Sequence, residues 1–189
     1  MGFADFTTAL CFVDAGDHLA FLDSRPGLAA NAIETDLRDL AVIIETHFQP
    51  AFDEEFGYIC SRVAHCGQGL QSSVLLHLPA LSRAGLLDRM LKTLLAEGWS
   101  LEGYFGSEEG SAGDLWVLEP SEEGGAFTGG IESAALRIAR GEGIARAELL
   151  RVSRPELFDL AGRAIGTLAF ARVLPLFEAL SLLSDLRLG

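Results

Sequence analysis

A glycine-rich, acidic stretch at 121–130 divides the sequence into two parts with different apolar patterns. Before it, short apolar runs alternate with turns and two helical segments, as in a sheet packed with helices. After it, apolar residues recur at helical spacing, and Pro155 and Pro175 lie near the starts of two helices. A mixed sheet followed by a helical tail predicts an α+β fold. We therefore predict a sheet and helix domain at 1–120, a linker at 121–130 and a helical region at 131–189.

Residue spacing predicts the individual elements of each part. Two apolar runs at 7–13 and 18–22 flank a short polar turn, which is typical of a β-hairpin. An amphipathic helix is indicated from Gly27 to about His47. The other predicted elements are strands at 56–60, 73–78, 99–105 and 114–118, and helices at 79–96, 131–152, 155–172 and 175–186.

The formal net charge of −13 bears on the class of partner, because it repels nucleic acid and anionic lipid. No apolar run reaches the roughly 18 to 20 residues needed to cross a bilayer, and the first residues lack the features of a signal peptide. Cys11, Cys60 and Cys66 are odd in number and lie among apolar neighbours, which favours reduced buried thiols over a disulfide framework. We expect a cytoplasmic protein that binds neither nucleic acid nor membrane.

Three segments together carry a resemblance to a known family. The first joins Gly57-Tyr58-Ile59 to the run GQGLQSSVLLHLPAL at 67–81, and the others read DAGDHLA at 14–20 and LSLLSDLRLG at 180–189. In order and spacing they resemble the guanidino kinases, and among these the bacterial protein-arginine kinases. The resemblance implies the fold of that family's C-terminal catalytic domain, an antiparallel-rich sheet packed with helices, with its first half missing.

The chemistry of this family requires cations around the ATP phosphates and a carboxylate that orients and deprotonates the guanidine. The resemblance implies that the positions carrying these groups hold other residues here. An acidic pair aligns with Ala15 and Gly16, the reactive cysteine with Arg62, phosphate-binding arginines with Ala20, Gln71 and Glu102, and a catalytic glutamate with Ser107. We therefore expect a pseudoenzyme with no catalytic residue and no cofactor. The alternative is a phosphotransferase with a remodelled or split active site.

Three further groups of residues combine types that bind metals or transfer protons. They are Cys60, His65 and Cys66 as zinc ligands, Asp17-His18 as an acid and base pair, and Asp53-Glu54-Glu55 or Glu108-Glu109 as ligands of a hard cation. The zinc set lacks a clear fourth neighbour. Buried thiols, a strand-end pair and solvated loop charges are the favoured interpretations, so no metal is expected.

Arginines concentrate in the helical region of this otherwise acidic chain. Among them, Arg137, Arg140, Arg151 and Arg154 recur at near-helical intervals. They are interpreted either as a solvated helix face with ion pairs or as a docking surface for phosphorylated or acidic groups. The C-terminal region of protein-arginine kinases also dimerises and can sense phosphoarginine, so the resemblance singles out Asp185 and Arg187 together with Arg151 and Arg154. The implied partners are a second copy of the chain, an active protein-arginine kinase or its substrates.

Overall fold

The computed structural model describes residues 9–14, 19–61, 63, 66–105, 111–121 and 130–189. The described residues form two compact units, one ending at Ser72 and the other beginning at Ser73. Each unit contains strands and helix, which confirms the predicted α+β class. Most of the linker predicted at 121–130 lies outside the described residues.

The first unit begins with the predicted β-hairpin. Strands β1, Leu10–Val13, and β2, Leu19–Leu22, pair antiparallel, with Leu10 opposite Leu22 and Val13 opposite Leu19. Helix α1, Ala30–Glu45, follows, and it starts four residues after Pro26. A short antiparallel ladder of β3, Phe52–Asp53, and β4, Gly57–Tyr58, completes the elements of this unit.

The first unit has little core of its own. No apolar side chain in the described part of residues 9–72 is buried, and all four residues of β1 are exposed. Its one buried residue in that range is Asp23, which pairs with Arg25 at 2.7 Å, and Arg25 also contacts Asp36. The hairpin ladder and polar contacts therefore contribute to holding this unit together, and many of its apolar side chains are exposed.

The second unit is built on a three-stranded antiparallel sheet. Strand β7, Leu115–Pro120, lies between β5, Val74–His77, and β6, Trp99–Gly103. The register places Leu118 opposite both Val74 and Leu101. Leu118 has no exposed surface, so the centre of this sheet is also the centre of the core.

Helices α3, Leu87–Ala96, and α4, Ile131–Val152, pack against the sheet of the second unit, while the last two helices pack on each other. Helix α4 buries Ile131, Ala134, Ala135 and Ile138, whose spacing places them on one side. The elements are α2, Pro79–Arg83; α3, Leu87–Ala96; a 3₁₀ turn, Ala112–Asp114; α4, Ile131–Val152; α5, Arg154–Phe170; and α6, Leu176–Leu188. The last three agree with the helices expected from spacing. Across the described ranges, no helix is both long enough and apolar enough to cross a membrane.

The prediction of a single helix at 79–96 is wrong, because the helix is interrupted between Arg83 and Leu87. Helix α2 ends after one turn, and Gly85 adopts a left-handed conformation with φ of 66°. The Gly85 amide donates to the Ser82 carbonyl, and the Leu86 amide donates to the Leu81 carbonyl, both at 3.1 Å. This pair of bonds is a Schellman cap, which ends a helix at a glycine. The apolar spacing continued through the break and hid it.

Candidate functional site

The positions at which the resemblance predicts lost catalytic groups are described only in part. Ala15, Gly16, Arg62 and Ser107 lie outside the described residues. Ala20 lies in β2 and is half-buried, while Gln71 is exposed a few residues before β5. Glu102 lies on β6, is exposed, and accepts a hydrogen bond from the Ser100 hydroxyl at 3.2 Å. None of these three side chains supplies a cation for phosphate.

A group of polar residues in the second unit connects the sheet, helix α4 and the last helix. We call it the C-terminal polar cluster, and its members are His77, Arg83, Asp114, Glu142, Arg146, Ser184 and Asp185. Both ends of the resemblance contribute to it, since His77 belongs to the 67–81 run and Ser184 and Asp185 belong to the C-terminal run. Sequence reasoning singled out Asp185 among these residues and included Arg146 among the arginines of the possible docking surface.

Ser184 is the centre of the cluster. It is 3% exposed, its hydroxyl donates to the Asp114 carboxylate at 2.5 Å, and Nε2 of His77 lies 2.8 Å from its oxygen. A hydroxyl has one proton, so the imidazole must donate its Nε2 hydrogen to the oxygen. In a catalytic Ser-His-Asp triad the serine donates to the histidine instead. The arrangement therefore cannot activate Ser184 as a nucleophile, and it acts as a structural lock on helix α6.

The local backbone brings Asp114 to this position. Gly113 and Asp114 both have left-handed backbones, with φ of 67° and 55°. A Cβ on Gly113 would lie 2.9 Å from both Cβ and the carbonyl oxygen of Leu180, so only glycine lets helix α6 approach this closely. The Asp114 carbonyl also accepts a hydrogen bond from the Leu78 amide at 2.9 Å. The turn thus connects β5, β7 and α6 at one point.

Burial governs the two titratable groups that carry shifts within the cluster. Burial and the positive charge of Arg187 lower the pKa of His77, although Asp114 acts in the opposite sense. Burial raises the pKa of Asp185, which the charge of Arg83 partly offsets. Asp185 and Arg83 form an ion pair at 2.9 Å. At neutral pH the cluster therefore contains a neutral imidazole, a form that suits its single donated bond to Ser184.

Glu142 supplies the cap that helix α2 lacks. Its carboxylate accepts hydrogen bonds from the Ala80 and Leu81 amides, both at 2.9 Å, and it lies 3.7 Å from the Arg146 guanidinium. The N-cap residue of α2, Leu78, has no side chain that can accept these bonds. Glu142 itself is only 7% exposed. The sequence signal for this cap was an acidic residue on the apolar face of α4. The spacing of apolar residues alone does not identify it.

The structure gives the predicted arginines separate surroundings. Arg151, at the end of α4, pairs with Glu148 at 2.6 Å, and Arg154, at the start of α5, stacks over the Phe158 ring at 5.2 Å. Arg187 is exposed on α6, and its carbonyl accepts a hydrogen bond from Arg146 at 2.9 Å. Arg137 contacts Glu97 on both carboxylate oxygens. These contacts fit the ion-paired helix face, and Arg187 remains an exposed residue.

No metal centre emerges in the part of the chain that the structure describes, where three or more His, Cys, Asp or Glu side chains never converge. His65, Asp17-His18 and Glu108-Glu109 lie outside the described residues. Asp53 instead accepts bonds from the Glu55 and Phe56 amides, which makes it a turn residue. Cys60 and Cys66 are half-buried, whereas Cys11 is exposed, so the predicted burial is wrong for Cys11.

A family model, "ATP:guanido phosphotransferase, C-terminal catalytic domain", matches residues 3–124. The chain belongs to this family. A protein-arginine kinase of Caldanaerobacter subterraneus subsp. tengcongensis is 33% identical over 98% of the chain and 56% of its own length. Another, of Moorella thermoacetica, is 37% identical over 77% of the chain and 43% of its own length. The chain thus spans about half the length of the curated relatives it matches.

A solved structure agrees with the fold. It is the duplicated taurocyamine kinase from Schistosoma mansoni with bound transition state analog components, with a TM-score of 0.50 and 20% sequence identity. The likeness covers 80% of this chain and 20% of that one. Part of that structure therefore has a fold similar to the α+β fold of this chain.

Proposed function

We propose that the chain is a catalytically inactive guanidino-kinase-like protein that acts in the cytoplasm by binding and regulating other proteins. The proposal is supported by the residue types at the positions that the resemblance aligns with the family's catalytic groups. Those positions hold Ala15, Gly16, Ala20, Arg62, Gln71, Glu102 and Ser107. A phosphotransferase of this family would need carboxylates, a thiol and arginines there.

Electrostatics makes two of the replacements especially unfavourable for turnover. Glu102 puts a negative charge where the family has a phosphate-binding arginine, and a like-charge pair at about 4 Å costs roughly 4 kcal/mol at an effective dielectric near 20. Arg62 puts a cation where a guanidinium substrate would approach. Loss of a single transition-state arginine costs roughly 10³- to 10⁵-fold in related phosphoryl transfers. Several such losses together leave no route by the family mechanism.

A binding role is supported by the exposed apolar surface of the first unit. Phe12 and Val13 of β1 are exposed, and Phe48, Phe52 and Phe56 are each 61% exposed. Exposed apolar side chains that gather in one unit are typical of protein interaction sites. A second copy of the chain, an active protein-arginine kinase or a substrate of that kinase are the partners we propose.

A phosphoarginine-binding role for the C-terminal region rests on Arg187 and Asp185 of α6. Arg187 is an exposed residue whose guanidinium can form two parallel hydrogen bonds with a phosphate, and Asp185 lies on the same helix. Arg151 and Arg154, at the junction of α4 and α5, are the other arginines that we propose for this role. Asp185 already forms an ion pair with Arg83, so phosphoarginine would have to compete with Arg83 for the Asp185 carboxylate.

The proposed inactivity is tested by incubating the purified chain with ATP, Mg²⁺ and an arginine-rich protein. We expect no phosphoarginine by ³¹P NMR or by mass spectrometry, while the protein-arginine kinase of Caldanaerobacter subterraneus serves as the positive control. Phosphoarginine formed by the chain alone would favour the alternative of a remodelled active site. Product that appears only after adding a separate N-terminal half of that kinase would favour a split site.

The proposed binding role is tested by calorimetry and by sedimentation velocity. Titration with phosphoarginine should give binding heat. Arg187→Ala should weaken the affinity at least about tenfold, which is equivalent to 1.4 kcal/mol in binding free energy. Arg163→Ala is the matched control, because Arg163 pairs with Asp159 on the exposed side of α5. Sedimentation reports self-association, and a second titration uses the Caldanaerobacter kinase. No heat with either titrant and a monomer in sedimentation would reject this role.

A further inference from the structure

A second chemical feature lies in the first unit, where two cysteine residues are held close together. Tyr58 and Gly67 form an antiparallel bridge in which each amide donates to the other residue's carbonyl, at 2.8 and 3.0 Å. Cys60 follows this bridge on one side, and Cys66 precedes it on the other. The bridge therefore brings the two cysteines to the neck of one loop.

The approach of the two cysteines is direct. The sulfur of Cys66 accepts a hydrogen bond from the Cys60 amide at 3.3 Å and lies 3.7 Å from the Cys60 carbonyl oxygen. A sulfur this close to the main chain of the other cysteine is compatible with the Cα separation of about 4.4 to 6.8 Å that a disulfide spans. Both residues are half-buried, so a small oxidant can reach them.

The two sides of the loop approach each other closely at this bridge. A Cβ on Gly57 would lie 2.4 Å from the Gly67 carbonyl oxygen, so the two segments can meet here only because Gly57 has no side chain. The bridge thus holds the cysteines near each other before any covalent bond forms. A preformed pair of thiols reacts as an intramolecular couple, which favours their disulfide over disulfides with other molecules.

We propose that Cys60 and Cys66 are a redox modification site that forms a reversible disulfide when the protein meets hydrogen peroxide. One thiolate attacks a peroxide oxygen, breaks the O–O bond and becomes a sulfenic acid, and the hydroxide released takes up a proton as water. The second thiolate attacks that sulfur and displaces its hydroxyl group, which leaves as a second water. Two thiols and one peroxide thus give one disulfide and two waters. A cellular thiol reverses the step by thiol–disulfide exchange.

The site differs from the reactive cysteine of the family, which aligns with Arg62. Oxidation would close a covalent ring around Arg62, which lies between the two cysteines in the sequence. This is a covalent change on the first unit, separate from any phosphoarginine binding by the C-terminal helices.

The test uses the whole chain and relies on tryptic cleavage between the two cysteines. Trypsin cleaves after Arg62, so Cys60 falls in the peptide 39–62 and Cys66 in the peptide 63–83. After a stoichiometric dose of hydrogen peroxide and alkylation, we expect these two peptides joined by a disulfide, and separate again after dithiothreitol. Cys11 is the internal control, because it lies in β1 and outside the loop that the Tyr58–Gly67 bridge closes, so it should be recovered mainly as the alkylated thiol.

Concentration and variants separate the proposal from general thiol oxidation. With protein at about 10 µM, an effective thiol concentration on the order of 1 mM favours the internal disulfide about a hundredfold over links between chains. Cys66→Ser and Cys60→Ser should each lose the joined peptides and leave a sulfenic acid that dimedone traps, whereas Cys11→Ser should behave like the parent chain. Equal oxidation of all three cysteines, or links mainly between chains, would overturn the proposal. The measurement on the parent chain decides it even where a variant folds poorly.

Discussion

Replacing Glu142 offers the sharpest test of how the second unit is held together. Its carboxylate accepts two backbone hydrogen bonds at 2.9 Å from Ala80 and Leu81, which are 0% and 2% exposed. Hydrogen bonds to a charged group contribute about 1.5 to 3 kcal/mol each, and an unsatisfied buried amide adds its own desolvation cost. Glu142→Ala removes both acceptors and leaves both amides without water, so we expect a loss of about 3 to 5 kcal/mol in the free energy of unfolding.

Fluorescence isolates the effect because both tryptophans of the chain, Trp99 and Trp116, lie in the sheet of the second unit. With an m value of about 2 kcal/mol per molar, the urea midpoint should fall by roughly 2 M. Glu142→Gln keeps one acceptor oxygen and should lie between the parent and the alanine variant.

The control for this experiment is Glu148→Ala on the same helix. Glu148 pairs with Arg151 at the surface, and exposed ion pairs contribute little to stability, so its midpoint should match the parent. A midpoint for Glu142→Ala no lower than that of Glu148→Ala would refute the argument that α4 caps α2. It would also mean that water or another group satisfies the two amides.

Three further changes test the core and the lock on α6. Gly113→Ala places a side chain on a left-handed backbone, which costs roughly 1 to 2 kcal/mol, and brings its Cβ into close contact with Leu180. The melting temperature of this variant should therefore fall by several degrees, and an unchanged value would contradict the packing described. Leu118→Ala opens a cavity at the centre of the sheet and should lower the free energy of unfolding in urea by about 2 to 5 kcal/mol. Leu75→Ala, at an exposed position, should lower it far less, and equal losses would place the core elsewhere. His77 has a lowered pKa in the folded state, so the folded protein binds fewer protons and its stability falls as the pH drops below about 6.5. His77→Gln keeps a donor for Ser184 without titrating, so its urea midpoint should change less between pH 7 and 5.5, and a parallel decline in both proteins would exclude His77 as the cause.

Apolar spacing predicted the secondary structure of the second unit well because most of its elements bury one regular face. Helix α4 follows the periodic positions from Ile131 onward, and α5 and α6 begin within a residue of the expected starts. Spacing failed at Gly85, where one residue ends a helix without interrupting the apolar pattern. A local backbone requirement of this kind is encoded in residue type rather than in periodicity.

The polar cluster was harder to foresee because its members are distant in sequence. His77 and Ser184 are separated by 107 positions and Asp114 and Ser184 by 70, so no short motif contains them. Each has an ordinary local explanation as a strand end, a turn acid or a helix serine. The family resemblance marked the segments that carry His77 and Ser184, but the hydrogen bonds between them required three-dimensional coordinates. Asp185, identified through the resemblance, proved to be held by Arg83.

The span between His77 and Ser184 has a consequence for synthesis of the protein on the ribosome. At about 5 to 20 residues per second, the 107 positions that separate them take roughly 5 to 20 s to translate. From the time β7 has been made until residue 184 is added, β5 and β7 must persist without the α6 contact that links Asp114 and His77 to Ser184. A nascent chain of this kind exposes the imidazole and the sheet edge beside it to solvent and to chaperones. Ribosome-bound chains that stop before residue 184 should therefore be more sensitive to protease than chains with a C-terminal extension long enough to bring residue 184 out of the exit tunnel.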